Sequence, residues 1–489
     1  MSKYIEPKSR DQIRMFTSFD DMVSVDNIVR IIDEIINQMN LSISDFVNGG
    51  VSNFGRPAHN PILLLKLYIY CYFNGIRSSR KIEKECTRNI ELKWLMGEIV
   101  PDHKCIANFR KNNGEAIKKT FREFLTMCDM LGLLGKSIVA VDGTKVRANN
   151  SKKKCYTPNK LQEMLNYFEK RVIEYERILT ENDEKEDYKE SLDLKRTNIN
   201  DIKDKLKETK AKIDEITTRK KEMQIKNIKQ ITMTDTDSRL MKTANKGSDI
   251  AYNAQIAVDS KNHIIVATDV TNQVSDVEQL SNMSGKVVEN LNIEKDEKII
   301  IIADKGYYSA AELIKCSEDK RIDPIVAIPG TAAPVSDEKY NIDNFKYDEV
   351  SDTYKCPEGS NLVNVSKPTS KEQVYKNADA CQTCENRNKC TKAACREISR
   401  TEKSKIKEEA KQKLSDNTEI YAERQKLAEH PFGTMKATLG FTNYLTRGIE
   451  SVKIENILHI LAYNFKRVIN IYKNKGELCL INKLITETK

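Results

Sequence analysis

The sequence predicts an α/β protein: a mixed sheet with helices on both faces, preceded by an all-α region and broken by two insertions. Three observations carry this. SIVAVDGT (137–144) and IIADKGYYSAAEL (301–313) are apolar runs of strand length, each entering an aspartate with a glycine one or two residues on. Residues 161–216 show a heptad rhythm. Residues 1–135 are spaced as helices, and 329–400 are rich in cysteine and turn residues. A carboxylate at the carboxyl end of a buried strand is where α/β folds place their chemistry.

Taken in order, PILLLKLYIYCYFNGIRSSRKIEKEC (61–86) is apolar at helical spacing, breaks at Asn74-Gly75 and restarts at Ser78-Ser79, which suits an N-cap. PDHKCIANFRKN (101–112) opens on Pro101-Asp102, a helix start, and the pair resembles a helix-turn-helix. Arg77, Arg80, Lys81, Arg110 and Lys111 are its candidate DNA contacts; His103 lies beside them. Leu161, Leu165, Phe168, Val172, Tyr175 and Leu179, then Leu192, Ile199, Ile202, Leu206, Ile213 and Ile216, predict an antiparallel coiled-coil hairpin with its charged tip at 181–190. AYNAQIAVD and HIIVATDV form a strand hairpin around Ser260-Lys261-Asn262. A helix over 276–290, a strand over 298–303, a helix over 309–316 and a strand over 323–328 follow. Residues 329–400 read as irregular. Residues 402–430 read as a polar helix or helix pair that Pro431 and Gly433 interrupt, and 454–473 as an amphipathic helix packed on the core.

The domains expected are a helical DNA-binding domain (1–135), a catalytic core (136–160 and 229–328), the hairpin (161–228), the Cys-rich insertion (329–400), and a final segment (401–489) with a late helical glutamate and C-terminal helices.

With 81 Lys+Arg against 72 Asp+Glu the net charge is +9, a modest excess compatible with a polyanion partner. No apolar run reaches membrane-spanning length, and the first residues lack a signal-peptide core, so a cytoplasmic protein without a membrane partner is expected. No glycine-rich phosphate loop points to ATP, and no serine sits in a nucleophile elbow.

Two strand-end aspartates, Asp142 and Asp304, and a distal helical Glu429 have the ingredients of a two-metal site. Hard divalent ions take carboxylates, water and phosphate oxygens. His430 adjoins Glu429 and suits a supporting role. Of the 12 cysteines, Cys381-x-x-Cys384 has metal-knuckle spacing, with Cys356 before a Pro-Glu-Gly turn and Cys390 close behind. These four suit structural Zn²⁺, with Cys395 a competing fourth ligand.

VAVDGTKVRANNSKK, ADKGYYSAAEL and YAERQKLAEHPFGTMK resemble the three catalytic blocks of DDE transposases from bacterial insertion sequences, and residues 55–86 with 101–112 resemble the helical domain that precedes them. The resemblance implies an RNase H-like catalytic fold and Mg²⁺ or Mn²⁺ dependence. It implies cleavage at terminal inverted repeats, joining of the 3′-OH ends to target DNA, and a homodimer on double-stranded DNA in the bacterial nucleoid. It casts Asp142, Asp304 and Glu429 as catalytic acids, and Tyr421, Arg424 and Lys436 as contacts to the DNA end. Arg424 and Glu429 stand one residue further apart than in the commonest form, and the one tryptophan, Trp94, lies in the helical domain. A catalytically silent DNA-binding protein or repressor is the alternative.

Overall fold

The computed structural model describes residues 18–47, 58–152, 155–186, 193–225, 230–243, 247–330, 337–367 and 372–474. The amino-terminal region is helical: α1 (Ile28–Gln38), α2 (Pro61–Phe73), α3 (Ser79–Arg88), α4 (Ile90–Met96), α5 (His103–Asn112) and α6 (Gly114–Met130). Asp102 caps α5 as its position predicts, its Oδ1 accepting from Lys104 N (2.8 Å) and Cys105 N (2.9 Å). α2 and α3 are joined by a short turn at Asn74-Gly75, where Gly75 takes φ +73°, and α3 touches α5, with α4 between them in the chain.

The central sheet combines β1 (Ile138–Arg147) with β4 (Arg239–Lys242), β5 (Ser248–Asp259), β6 (Ile265–Thr271), β7 (Ile299–Ala303) and β8 (Ile322–Val326). β2 (Cys155–Tyr156) and β3 (Ile231–Thr232) form a separate short ladder. β1, β7 and β8 are parallel. β5 runs antiparallel to β1, and its far edge carries β4 and β6. The Ile299–Ala303 run is continuous because β7 lies between two parallel neighbours and is covered on both faces.

Between β2 and β3, α7 (Pro158–Glu186) and α8 (Asp193–Ile225) leave the sheet. Gln162 meets Lys220 and Glu176 meets Lys210, so they run antiparallel. Leu161, Leu165, Ile216 and Met223 form their seam. Leu192 and residues 187–190 of the expected tip lie outside the described residues.

α9 (Leu280–Asn290) follows β6, and α10 (Ala310–Glu318) links β7 to β8. α9 starts four residues later than expected because Asp276 is held instead by Lys145, Asn253 and Gln255.

The stretch expected to be irregular forms a second sheet. β9 (Lys346–Asp348), β10 (Thr353–Lys355), β11 (Asn361–Asn364), β12 (Gln373–Lys376) and β13 (Ile398–Arg400) pair antiparallel in sequence order, with short helices α11 (Ala378–Gln382) and α12 (Arg387–Cys390) before β13. Strands of three or four residues are too short to show a period. Their core is small: Phe345, Tyr354, Leu362, Tyr375 and Ile398.

α13 (Glu402–Asp416), α14 (Thr418–Ala437) and α15 (Ile449–Asn474) complete the chain. α14 runs unbroken through Pro431 and Gly433, against expectation. Pro431, Phe432 and Met435 are buried, and that packing outweighs the one backbone bond proline cannot make. α15 is buried on almost every side between α2, α6 and β6, where an amphipathic helix was expected. Two of its buried polar residues satisfy backbone groups of neighbouring segments. Asn464 accepts from Ile265 N (2.9 Å) and donates to Ile265 O (2.8 Å) at the edge of β6, and Glu455 accepts from Leu445 N (2.9 Å) and Thr446 N (2.8 Å). The amino-terminal helices and the central sheet thereby share one hydrophobic core. Among the described residues no helix is long and apolar enough to cross a membrane.

Candidate active site

Register brings the two aspartates together. β1 and β7 pair in parallel with Ala140 opposite Ile302 and Val141 opposite Ala303, so Asp142 and Asp304 emerge side by side, roughly 5 Å apart at the backbone. Side chains alternate along a strand. Ala140 and Ile302 face the cluster that contains Leu427 and borders Tyr421 of α14, so Asp142, Thr144 and Asp304 lie on that face too. α14 crosses it, and Lys436 Nζ donates to Thr144 Oγ1 at 2.8 Å.

The carboxylates are unequal. Burial pushes Asp142 up to about 6; the Gly143 N–H and Arg424 pull it down, while Asp304 and Asp276 push it up. Asp304 also caps the turn that follows it, its Oδ1 accepting from Gly306 N at 2.8 Å. At an effective dielectric near 20, two unit charges about 5 Å apart repel by about 3 kcal/mol. A cation between them would offset that repulsion and favour the charged form of Asp142. An all-oxygen donor pair of this kind fits a hard divalent ion such as Mg²⁺ or Mn²⁺. Arg424 lies against the Tyr421 hydroxyl, and Tyr421 is within charge range of Asp304. Burial lowers the pKa of Lys436 and Asp142 draws it back up.

Glu429 stands apart. It is exposed on α14, and its carboxylate takes a hydrogen bond from Gln425 at 3.3 Å. Among the described residues no three His, Cys, Asp or Glu side chains are gathered closely enough to hold a metal ion. His430 points elsewhere, toward the Tyr463 hydroxyl (3.4 Å) and the His263 ring.

On the opposite face of β1 lies a polar layer that the sequence reading missed. Gln255 Nε2 donates to Asp276 Oδ1 (2.8 Å) and Asn253 Oδ1 (2.9 Å), and the buried Tyr307 hydroxyl donates to Gln255 Oε1. Lys145 Nζ completes it on Asp276 at 2.9 Å. A Cβ on Gly143 would collide with Gln255 Nε2 and stand 3.0 Å from Asp276 Oδ1 and the Tyr307 hydroxyl, so Gly143 lets this layer close beneath Asp142. Asn253 and Gln255, polar at alternate positions of an apolar strand, were the available signal.

The amino-terminal basic residues divide. Arg80, Lys81 and Lys111 are exposed. Arg77 is turned inward, donating to Asn443 O at 2.6 Å, and Arg110 to the Tyr72 hydroxyl at 2.9 Å. Arg77 holds the helical region to the rest of the fold, since Asn443 bridges to Arg147 at the end of β1, while Arg110 ties α5 to α2.

In the second sheet, Cys356, Cys381, Cys384 and Cys390 line one small cavity, and Cys395 is not among its walls.

The site thus sets two acids at the ends of neighbouring parallel strands, with Arg424 and Lys436 of α14 beside them. Comparison with known proteins adds to this. Residues 17–112 match the family described as transposase domain (DUF772), and residues 355–469 match a transposase DDE domain. The two matches support a DDE transposase of insertion-element type. Asp142 and Asp304 fall outside both matched stretches; Tyr421, Arg424, Glu429, Lys436 and the cysteines fall inside the second. No curated protein matches the chain. Among solved structures, the cryo-EM structure of a piggyBac transposase synaptic complex with hairpin DNA is similar at 8% identity, covering 94% of this chain and 76% of that one. Its TM-score of 0.33 is too low to carry an argument.

Proposed function

We propose that this transposase cleaves the phosphodiester at the terminal inverted repeats of its own element and joins the freed 3′-OH ends to target DNA. The observation that supports this best is the pairing of Asp142 with Asp304 on parallel strands under a helix that presents Arg424 and Lys436. The sheet, with β4 and β6 on the outer edge of β5 and β5 alone running against β1, β7 and β8, supports reading it as an RNase H-like core.

In this reading Asp142 and Asp304 would hold Mg²⁺ or Mn²⁺, with Glu429 as the third acid if it turns in from the surface of α14. The bound ion would acidify an attacking water and offset charge on the scissile phosphate. Arg424 and Lys436 hold phosphate oxygens in register, and Tyr421 fixes the Arg424 guanidinium; in such chemistry positioning and charge neutralisation supply most of the rate. Exposed Arg80, Lys81 and Lys111 contact the DNA backbone, and two chains on two ends form a dimer.

The exposed Glu429 is the one observation that favours the alternative, a silent DNA-binding protein. A cleavage assay separates them. Purified chain with Mg²⁺ and a labelled duplex carrying the inverted repeats should nick at the repeat terminus, and Asp304→Asn should not. Tight binding without cleavage in Mg²⁺ or Mn²⁺ would leave the silent reading standing. Cleavage anywhere on the duplex would indicate a general nuclease.

A further inference from the structure

Residues 337–367 and 372–400 hold a five-stranded sheet of strands three or four residues long, with a core cluster of five buried side chains. So small a core falls short of stabilising a unit of this length, and natural domains in that position add a staple. The cysteines stand where one would go. Cys356 opens the β10–β11 turn, its carbonyl accepting from Gly359 N at 2.9 Å. Cys381 lies in α11, Cys384 in the turn after it, and Cys390 ends α12. All four line one cavity of about 40 Å³, room for an ion and too little for an organic ligand. The Cys390 sulfur lies within charge range of the other three.

We propose that Cys356, Cys381, Cys384 and Cys390 bind one structural Zn²⁺ that ties the β10–β11 turn to α11 and α12. Four thiols lose their protons to solvent as the ion enters, with no change of oxidation state. The centre then carries two net negative charges. Arg387 and Arg396 line the same cavity, and Arg396 Nε is buried with no hydrogen-bond partner. A buried donor left without an acceptor is costly, and a thiolate sulfur supplies one. The thiols surround the cavity without yet forming a ligating cluster, so the ion draws them inward by side-chain rotation to Zn–S distances of about 2.3 Å. Cys395, outside the cavity, takes no part. The unit leads through β13 into α13, where Arg400 holds Glu408 at 2.6 Å, so the staple also steadies the approach to α14.

The test is metal content of the full chain, a readout independent of DNA cleavage. Chain purified from zinc-supplemented cells should carry roughly one zinc. Cys381→Ser and Cys384→Ser should lose most of it, and Cys395→Ser should keep it. Because the serine variants are open to misfolding, wild-type thiols are also titrated with a chromogenic disulfide under native conditions; a zinc chelator should release four further reactive thiols. Folded wild type without zinc, equal zinc loss in Cys395→Ser, or thiols indifferent to chelator would each overturn the proposal.

Discussion

Lys436 donates a 2.8 Å hydrogen bond to Thr144, two residues beyond Asp142 on the same face of β1. It ties the last turn of α14 to the strand that carries the first aspartate. Lys436→Met should therefore lower cleavage more than end binding, by tenfold or more if about 1.4 kcal/mol of transition-state stabilisation is lost. Thr144→Val, which keeps shape and removes the acceptor, should give a smaller loss in the same assay. Equal losses of binding and cleavage would show that Lys436 acts only on DNA affinity.

Asp142→Asn, Asp304→Asn and Glu429→Gln should each abolish strand transfer and leave binding to the terminal repeats intact, measured by gel shift beside the cleavage assay. Failure of all three to bind would make the acids structural. An active Glu429→Gln would remove Glu429 from the site.

Gly143→Ala should destabilise the chain by about 1–3 kcal/mol, the usual cost of overpacking, because the new methyl meets Gln255, Asp276 and Tyr307. Adding Gln255→Ala should restore part of that stability in a denaturant titration. Additive losses in the double variant would place the strain elsewhere.

His459 governs an acid limit. It is fully buried between Tyr72 and Phe441, with Glu455 on its own helix at 3.9 Å, Arg77 and Arg110 within charge range, and both ring nitrogens unpartnered. Burial holds its pKa well below the usual imidazole value, with Arg77 and Arg110 adding to the effect. The unfolded chain then takes up the proton first, near pH 6.5, so stability is full above that pH and declines below it. Stability should therefore fall between pH 7 and pH 5. His459→Leu should flatten this decline in thermal melts at the two pH values.

Some of this molecule is legible residue by residue. An apolar run into Asp142-Gly143 or Asp304-Lys305-Gly306 announces a strand and its end. Asp102 announces a helix start, and the heptads after Leu161 announce a hairpin, because capping and periodicity act over a few residues. The second sheet escaped notice because its strands are shorter than any period. Pro431 misled because helix propensity is local, whereas the burial of Phe432 and Met435 that carries α14 through it is not. Arg110 looked like a DNA contact until Tyr72, distant in sequence, took its guanidinium, and Cys390 was separated from Cys395 only by the walls of a cavity. Which residue types end the strands and begin the helices is written in the local chain. The pairing of Ala140 with Ile302, which sets Asp142 beside Asp304, and the exposure of Glu429 are not. Register and burial are settled by contacts between segments far apart in the chain, and no local pattern encodes them.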